Sequence, residues 1–348
     1  MSLLESTFHL ALRDLHAGAG ASFDRRHGWM VPTHYGDMEG EYTALREGAA
    51  VADRSHTSRF MVTGTDAGEL LAATFAGHVA ELEEGRAMRA VWLDGAGRIG
   101  DLALIARTGG IAYMLAGEPA RRAETLQRLN DARGADWDVR VDDRTESTCL
   151  LSLSGPRAAE VVERHLSDAL PPRLPVLGTA AFEFHGFRAL ATRASTTGDD
   201  GFEFMLAPAV AQHVLETLTA AGVRLAGDDA CEVARVEACI PAYEPDLEPG
   251  LTPAQADLDV LLEIPGGDQS SILAGAILDS DVPVSTGTVV SIEGRPAGQV
   301  RSCVRSPGLR ATIALAVLDA TRALPGTSLD AEGVAGTIVA KPFYRRRT

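Results

Sequence analysis

A few side chains in this sequence have types and surroundings that suit chemistry. Asp101 follows the turn Gly97-Arg-Ile-Gly100 and opens an apolar run, Leu102-Ala-Leu-Ile-Ala106. A carboxylate at the mouth of a strand is placed for acid–base work or for holding an amine. Its plainer reading is an Asp that caps a turn. Asp199 and Asp200 lie in Thr197-Gly-Asp-Asp-Gly-Phe-Glu203, between two strand-like runs, where an ordinary hairpin turn is the plainer reading. Arg235 and Glu237 lie on the helical stretch Glu232-Val-Ala-Arg-Val-Glu-Ala238. There the plainer reading is a surface i,i+3 pair of Arg235 with Glu232, worth roughly a few tenths of a kcal/mol.

Other chemistries lack their motifs. There is no GxxxxGK[ST] phosphate loop and no GxGxxG after a strand, so nucleotide cofactors have no support. No HExxH is present, and His27 and His34 stand seven apart across Pro32, which does not place them on one helix face; no metal site is expected. Ser154-Gly-Pro lacks the GxSxG pattern of a nucleophile elbow. The four cysteines (149, 231, 239 and 303) form no CxxC pair, and read as reduced, mostly buried thiols. Arg345-Arg346-Arg347 reads as a solvated tail.

Composition bounds the rest. In 348 residues, 45% are hydrophobic, enough to bury a core, and two or three domains are expected. Lys plus Arg is 32 against 48 Asp plus Glu, a net charge of −16. That balance argues against a general nucleic-acid binder and against an anionic membrane surface. No run is long and apolar enough for a membrane span, and Met1–Ala21 is too broken by charge for a secretory signal, so a cytoplasmic location is expected. The only lysine is Lys341, which fits an arginine-biased genome.

The elements that must position these residues follow from periodicity. Residues 3–17 carry apolar residues at helical spacing, ended by Gly18–Ala21. Helices are expected at Glu39–Glu47, Asp66–Ala73 and Pro119–Ala132, and strands at Ala49–Asp53, Arg59–Thr63, Met88–Leu93, Asp101–Ala106 and Ile111–Leu115. This is a small α+β unit over about 50–140. Strands then fit Thr148–Leu153, Ala180–Phe184, Phe187–Thr192 and Gly201–Leu206, with helices at Ala158–His165, Val210–Ala221 and Asp228–Ile240. Past Pro265-Gly266-Gly267 the texture changes to short β-rich segments punctuated by glycine and proline, an all-β C-terminal domain.

The order of the motifs says more. His27-Gly-Trp-Met-Val-Pro-Thr-His-Tyr-Gly36, then Glu41, Arg46, Ala50, Asp53 and Ser55-His56, resembles the opening of the glycine cleavage T-protein (aminomethyltransferase) family. The resemblance continues through Ile99-Gly-Asp101-Leu, Ser154-Gly-Pro156, Gly198-Asp-Asp-Gly-Phe-Glu203, Arg235-Val-Glu-Ala238, Leu251-Thr-Pro253 and Lys341-Pro-Phe343. It covers nearly the whole chain. No single motif is highly specific; their joint order and spacing carry the resemblance.

That resemblance implies an α+β fold with three domains in a cloverleaf around a channel that binds tetrahydrofolate. The first domain would be split, 1–50 plus 142–262. A ferredoxin-like domain would occupy 51–141, and a C-terminal β-barrel or jelly-roll domain 265–348. The implied reaction is transfer of a one-carbon unit, aminomethyl or methyl, from a donor to tetrahydrofolate. The donor would be a lipoyl carrier protein or a small molecule, which leaves a folate-dependent demethylase of an S-, N- or O-methyl compound as an alternative. A non-catalytic folate-binding protein is the third reading. The family's catalytic aspartate matches Asp101, its folate-binding glutamate matches Asp199, the arginine of its RLEAG helix matches Arg235, and its terminal aromatic matches Tyr344.

The chain also departs from the pattern. Gly100 stands for the first aspartate of GG-x-x-DD, Asp199 for the glutamate, and Thr196 for a tyrosine three residues earlier. Thr57 follows Ser-His where a methionine is usual, Cys239 replaces the RLEAG glycine, and an aromatic of the strand before the loop corresponds to Met88. These changes imply altered pocket chemistry and a different donor. The net charge of −16 points the same way, because it would repel an acidic carrier protein.

Overall fold

A computed structural model describes residues 7–166, 174–184, 186–248, 250–264 and 266–345. It falls into two compact units, one of residues 1–90 and 103–231, the other of residues 91–102 and 232–348. Among the described residues, no helix is long and apolar enough to cross a membrane.

The first unit is built on a six-stranded sheet. Its order is Thr179–Phe184, Phe187–Thr192, Gly201–Leu206, Cys149–Ser154, Ala50–Asp53 and Arg224–Leu225. Alternation in Gly201–Leu206 assigns its faces: Phe202, Phe204 and Leu206 are buried in one core cluster, with Glu203 and Met205 on the other side. The helices Ala158–His165 and Pro208–Ala220 pack on the Phe face. The latter offers Val210, Ala211, Val214, Leu215 and Leu218, an i, i+1, i+4, i+5, i+8 stripe.

A five-stranded sheet contains Arg86–Leu93, Ile99–Gly109, Ala112–Gly117, Ser58–Thr63 and Arg140–Asp143 in that order. With the helices Ala67–Thr74 and Arg122–Asp131 it forms an α+β element. A small third sheet joins Phe8–His9, Trp29–His34 and Ser22–Arg26. This corrects the helix expected over 3–17. Only Arg13–Gly18 is helical; Phe8 instead pairs with Trp29 as a strand and stacks on its ring at 4.9 Å. Residues 3–6 of that expectation lie outside the described residues.

The longer segment of the second unit begins inside the helix Asp228–Glu237 and contains a closed barrel. The strand order is Ser271–Leu278, Ala311–Asp319, Arg295–Ser306, Val289–Ile292, Ser328–Ala331 and Val334–Val339. Its interior is filled by Ala274, Ala276, Leu278, Val290, Val300, Ala314, Ala316, Leu318 and Ile338, among others. The first barrel strand is not apparent from the sequence, because Gly275 interrupts its apolar run. A Cβ there would lie 3.0 Å from the Phe343 ring and 3.1 Å from the Lys341 stem, so the glycine makes room for the last segment of the chain.

Candidate active site

In the first unit, the loop between Phe187–Thr192 and Gly201–Leu206 holds its two carboxylates on separate arginines. Arg193 grips Asp200 with two parallel bonds, Nε to Oδ1 at 2.9 Å and Nη2 to Oδ2 at 2.6 Å. Arg46, on the helix Met38–Glu47, donates from Nη1 to Asp199 Oδ2 at 2.6 Å and to the Thr197 carbonyl at 2.7 Å. The Asp199 side chain is wholly out of water and that of Arg46 nearly so, at 0% and 5% exposure. The expected hairpin turn is therefore a pinned loop. A row of hydroxyls runs beneath it, Ser152 to Ser154 at 3.4 Å, Ser154 to Ser195 at 3.2 Å and Ser195 to Thr197 at 2.9 Å.

The face of the large sheet opposite its phenylalanines lines a cleft. Glu203 stands in register with Ser152 and Thr192, so the three share that face. The cleft is narrow, with a volume of about 20 Å³, and is walled by Leu104, Ala106, Met114, Leu150, Leu190 and Met205, with Glu203 and Thr192 among them. Burial raises the Glu203 carboxyl above its ordinary value, while the positive charges of Arg54, Arg89 and Arg59 pull it back. Arg54 donates to Thr196 Oγ1 at 2.9 Å, and Arg89 to the Ser195 carbonyl at 2.8 Å. Sequence reasoning marked Met88 on this strand. Ala87, two residues from Arg89, belongs to the apolar cluster with Leu104, Ala106 and Leu190, so Arg89 and not Met88 shares that face.

Behind these groups lies a second polar network of the same unit. His16 Nε2 and Asp53 Oδ2 are 2.9 Å apart with both side chains fully buried, and the Tyr35 hydroxyl is 2.8 Å from His16 Nδ1. Ser55 binds Asp53 through its amide, at 2.9 Å, and through its hydroxyl. Hydrogen bonds from His16 and Ser55 hold the Asp53 carboxyl below its ordinary value despite burial. Arg59, fully buried, donates to Thr148 Oγ1 at 2.9 Å and to the carbonyls of Ser55 and Thr148 at 3.1 and 2.8 Å. Next to these, His56 Nδ1, Thr57 Oγ1 and Ser58 Oγ are buried without a hydrogen-bond partner. Burial and the charge of Arg54 push the His56 imidazole down to about 3, so it is neutral.

The second unit holds the other three predicted residues. Asp101 is wholly buried, on the strand Ile99–Gly109. A Cβ on its neighbour Gly100 would fall 1.9 Å from the Trp92 ring, which explains the glycine there. Arg235 corrects the sequence reading of a surface pair. Its guanidinium donates from Nε to Glu232 Oε2 at 2.7 Å, from Nη1 to the Ile240 carbonyl at 2.9 Å and Asp246 Oδ2 at 2.5 Å, and from Nη2 to Glu232 and to Ser302 Oγ at 2.8 Å. Those are all five donors that arginine possesses. Tyr344 is partly exposed, and its amide donates to the Glu237 carbonyl at 2.9 Å. Lys341 Nζ binds the Leu273 carbonyl at 2.5 Å and Asp257 at 3.0 Å. Asp199 belongs to the first unit and Asp101, Arg235 and Tyr344 to the second. No cluster of three or more potential metal ligands occurs among the described residues.

Sequence reasoning did not single out Arg54, Arg89 or Glu203, which the structure places near one another. The one signal available was the charged residue inside Phe202-Glu-Phe-Met-Leu206, where Phe202, Phe204 and Leu206 face the core and Glu203 and Met205 the other side.

Comparison with known proteins bears on this arrangement. Residues 12–265 match the family model described as the GCVT N-terminal domain, and residues 273–345 the one described as the glycine cleavage T-protein C-terminal barrel domain. The chain is 31% identical to the aminomethyltransferase of Streptomyces avermitilis, over 97% of this chain and 98% of that protein. It is also 31% identical to the aminomethyltransferase of Rubrobacter xylanophilus, over 97% and 94% of the two. In fold it superposes on the glycine cleavage aminomethyltransferase T of Bartonella henselae with a TM-score of 0.88, at 24% identity, over 98% of this chain and 99% of that one.

Proposed function

Because this chain belongs to the glycine cleavage T-protein family, we propose that it is an enzyme that transfers a one-carbon unit from a donor to tetrahydrofolate. The observation that carries the reading is end-to-end similarity to aminomethyltransferases combined with a wholly buried aspartate at the family's catalytic position.

The residues present fit a folate. Asp199 is a desolvated carboxylate with a fixed orientation, suited to N–H donors of a pterin edge, and the loop that carries it is rigid. Buried polar atoms without a protein partner, at His56, Thr57 and Ser58, fit a polar heterocycle better than a sealed core. Tetrahydrofolate supplies the nucleophilic nitrogen that accepts the one-carbon unit.

In this reading Asp101 is the catalytic residue. Its carboxylate orients the folate amine against the donor carbon and stabilises positive charge that grows on nitrogen during transfer. A buried carboxylate does this well because no water competes for the charge. Asp199 positions the pterin, and Tyr344 packs on the bound ligand. Arg235 has no free donor for a ligand, so its role is to tie the helix Asp228–Glu237 to the barrel through Ser302 and Asp246. A cytoplasmic enzyme fits this chemistry.

The experiment is a calorimetric titration with tetrahydrofolate, followed by turnover assays with aminomethylated lipoyl carrier protein and with small methyl donors. Binding with turnover of either donor class supports the reading. Binding without any turnover would make this a folate carrier, and the absence of binding would end the folate reading altogether.

A further inference from the structure

A groove of the first unit, apart from every residue assigned above, has its charges gathered around one oxygen atom. It is formed by the helix Ala158–His165, the end of the helix Met38–Glu47 and the turn after the helix Pro208–Ala220, with a volume of about 330 Å³. That volume suits a small ligand. Arg157, Glu160, Arg164 and His165 line it from a single helix face, at i, i+3, i+7 and i+8. Arg157 donates to Glu160 from Nε to Oε2 and from Nη2 to Oε1, both at 2.9 Å. Arg164 Nη2 lies 2.8 Å from the same Oε1. Two guanidinium groups therefore converge on one carboxylate oxygen. Among the described residues, His165 makes no hydrogen bond or ion pair and is available to a third contact.

The cluster is open to water. The side chains of Arg157, Arg164 and Glu160 are 58%, 64% and 41% exposed, so the pairs among them are weak and exchange readily. Two arginines against one glutamate leave a local positive charge in a chain whose total is −16. Arg224, at the edge of the groove, is paired with Asp37 at 2.6 Å and adds nothing to that balance, and Glu39 and Glu47 line the adjoining hollow beyond it. Backbone amides cover the helix carbonyls that would repel an anion: Gly48 N takes the Ala44 carbonyl, Arg157 N that of Gly48, and Ala221 N that of Thr217. Val161, Val223, Ala44 and Ala49 supply apolar surface.

We propose that this groove binds a small phosphate monoester, with the phosphate held between Arg157 and Arg164 where the Glu160 carboxylate now lies. A phosphate monoester carries about −1.5 to −2 charges at pH 7 and three strong acceptor oxygens, which two planar guanidinium forks match better than they match one carboxylate. Glu160 turns out to solvent when the ligand enters, and its present position marks where the oxyanion sits. The carbon skeleton packs on Val161 and Val223. The site is independent of the one-carbon reading and shares no residue with it.

The test is a calorimetric titration of the full chain, at low ionic strength, with butyl phosphate, inorganic phosphate and butanesulfonate, a monoanion with the same skeleton. Wild type is compared with Arg157→Gln, Arg164→Gln, Glu160→Gln and, as a control, Arg140→Gln, an exposed arginine paired with Asp142. One butyl phosphate is expected to bind per chain, more tightly than butanesulfonate or inorganic phosphate. Arg157→Gln and Arg164→Gln should each weaken it about tenfold or more, and Glu160→Gln should tighten it about as much by removing the internal competitor. Arg140→Gln should leave it unchanged. A gain of affinity in Glu160→Gln is an outcome that misfolding cannot imitate. The proposal is overturned if butyl phosphate does not bind, if Arg140→Gln weakens it as much as the groove variants do, or if Glu160→Gln fails to tighten it. Equal affinity for inorganic phosphate overturns the assignment to a monoester, because the apolar surface then contributes nothing.

Discussion

Arg46 reaches Asp199 across 153 positions of sequence and holds its Oδ2 at 2.6 Å, with both side chains almost entirely excluded from water. The pair joins the helix Met38–Glu47 to the loop before the strand Gly201–Leu206. An aspartate in that position is oriented before any ligand arrives.

Replacing Arg46 by Met takes the ion-pair partner at 2.6 Å from the buried Asp199 carboxylate. The expected loss is about 3–5 kcal/mol of stability, because breaking one half of a buried pair costs far more than the pair itself contributes. Urea denaturation monitored in the first unit reads it. A loss under about 1 kcal/mol would show that water reaches the site.

Asp101→Asn keeps the shape of the side chain and removes its charge. Turnover with tetrahydrofolate is expected to fall at least about a hundredfold, with folate affinity close to wild type. Unchanged turnover would remove Asp101 from the mechanism.

Arg235→Lys separates a ligand-binding arginine from a structural one. One ammonium cannot reproduce five donors directed at Glu232, Asp246, Ile240 and Ser302. The melting temperature should drop by several degrees, while the dissociation constant for tetrahydrofolate, measured well below the transition, stays the same. A selective loss of folate affinity at native stability would restore the binding role.

His56 predicts a pH dependence. Its imidazole titrates at about 3 in the folded protein, well below the ordinary value near 6.5. Between those values the unfolded chain binds a proton that the native state does not, so stability rises with pH there. Lowering the pH from 6.5 to 5 is therefore expected to cost roughly 1.5 kcal/mol from this group alone. The stability–pH curve of His56→Asn should be flatter by that amount; an identical curve would refute the burial argument.

Gly100→Asp restores the acid usual in the family pattern but drives a Cβ to within 1.9 Å of the Trp92 ring. A destabilisation of about 1–3 kcal/mol is expected from overpacking, relieved in part by a second change, Trp92→Met. Equal stability of the single variant would show that the ring moves aside freely.

Most of the fold was readable because its signals are local. The helix Ala158–His165 and the strands Phe187–Thr192 and Gly201–Leu206 lie where periodicity places them. Failures occur where a distant partner decides. Phe8 becomes a strand residue because Trp29 is there to pair with it, and Ser271–Leu278 is a strand despite Gly275 because it pairs with Ala311–Asp319 and Val334–Val339, the glycine leaving space for Phe343. The site follows the same division. Asp101 and Asp199 stand out beside glycine-bearing turns, whereas nothing in the spacing of Arg54, Arg89 and Glu203 brings them together. For Arg235, the i,i+3 glutamate was visible, but Ser302 lies 67 residues away and no short-range pattern encodes it.

Lys341 gives the molecule a property that concerns handling and not catalysis. As the sole lysine it is the one side-chain amine on the entire surface, and that amine is engaged with the Leu273 carbonyl and the Asp257 carboxylate. A dye ester would therefore attach to the side chains at a single address. Its rate of attachment would count how often the final segment lets go of the first barrel strand, making the protein its own clock for that release.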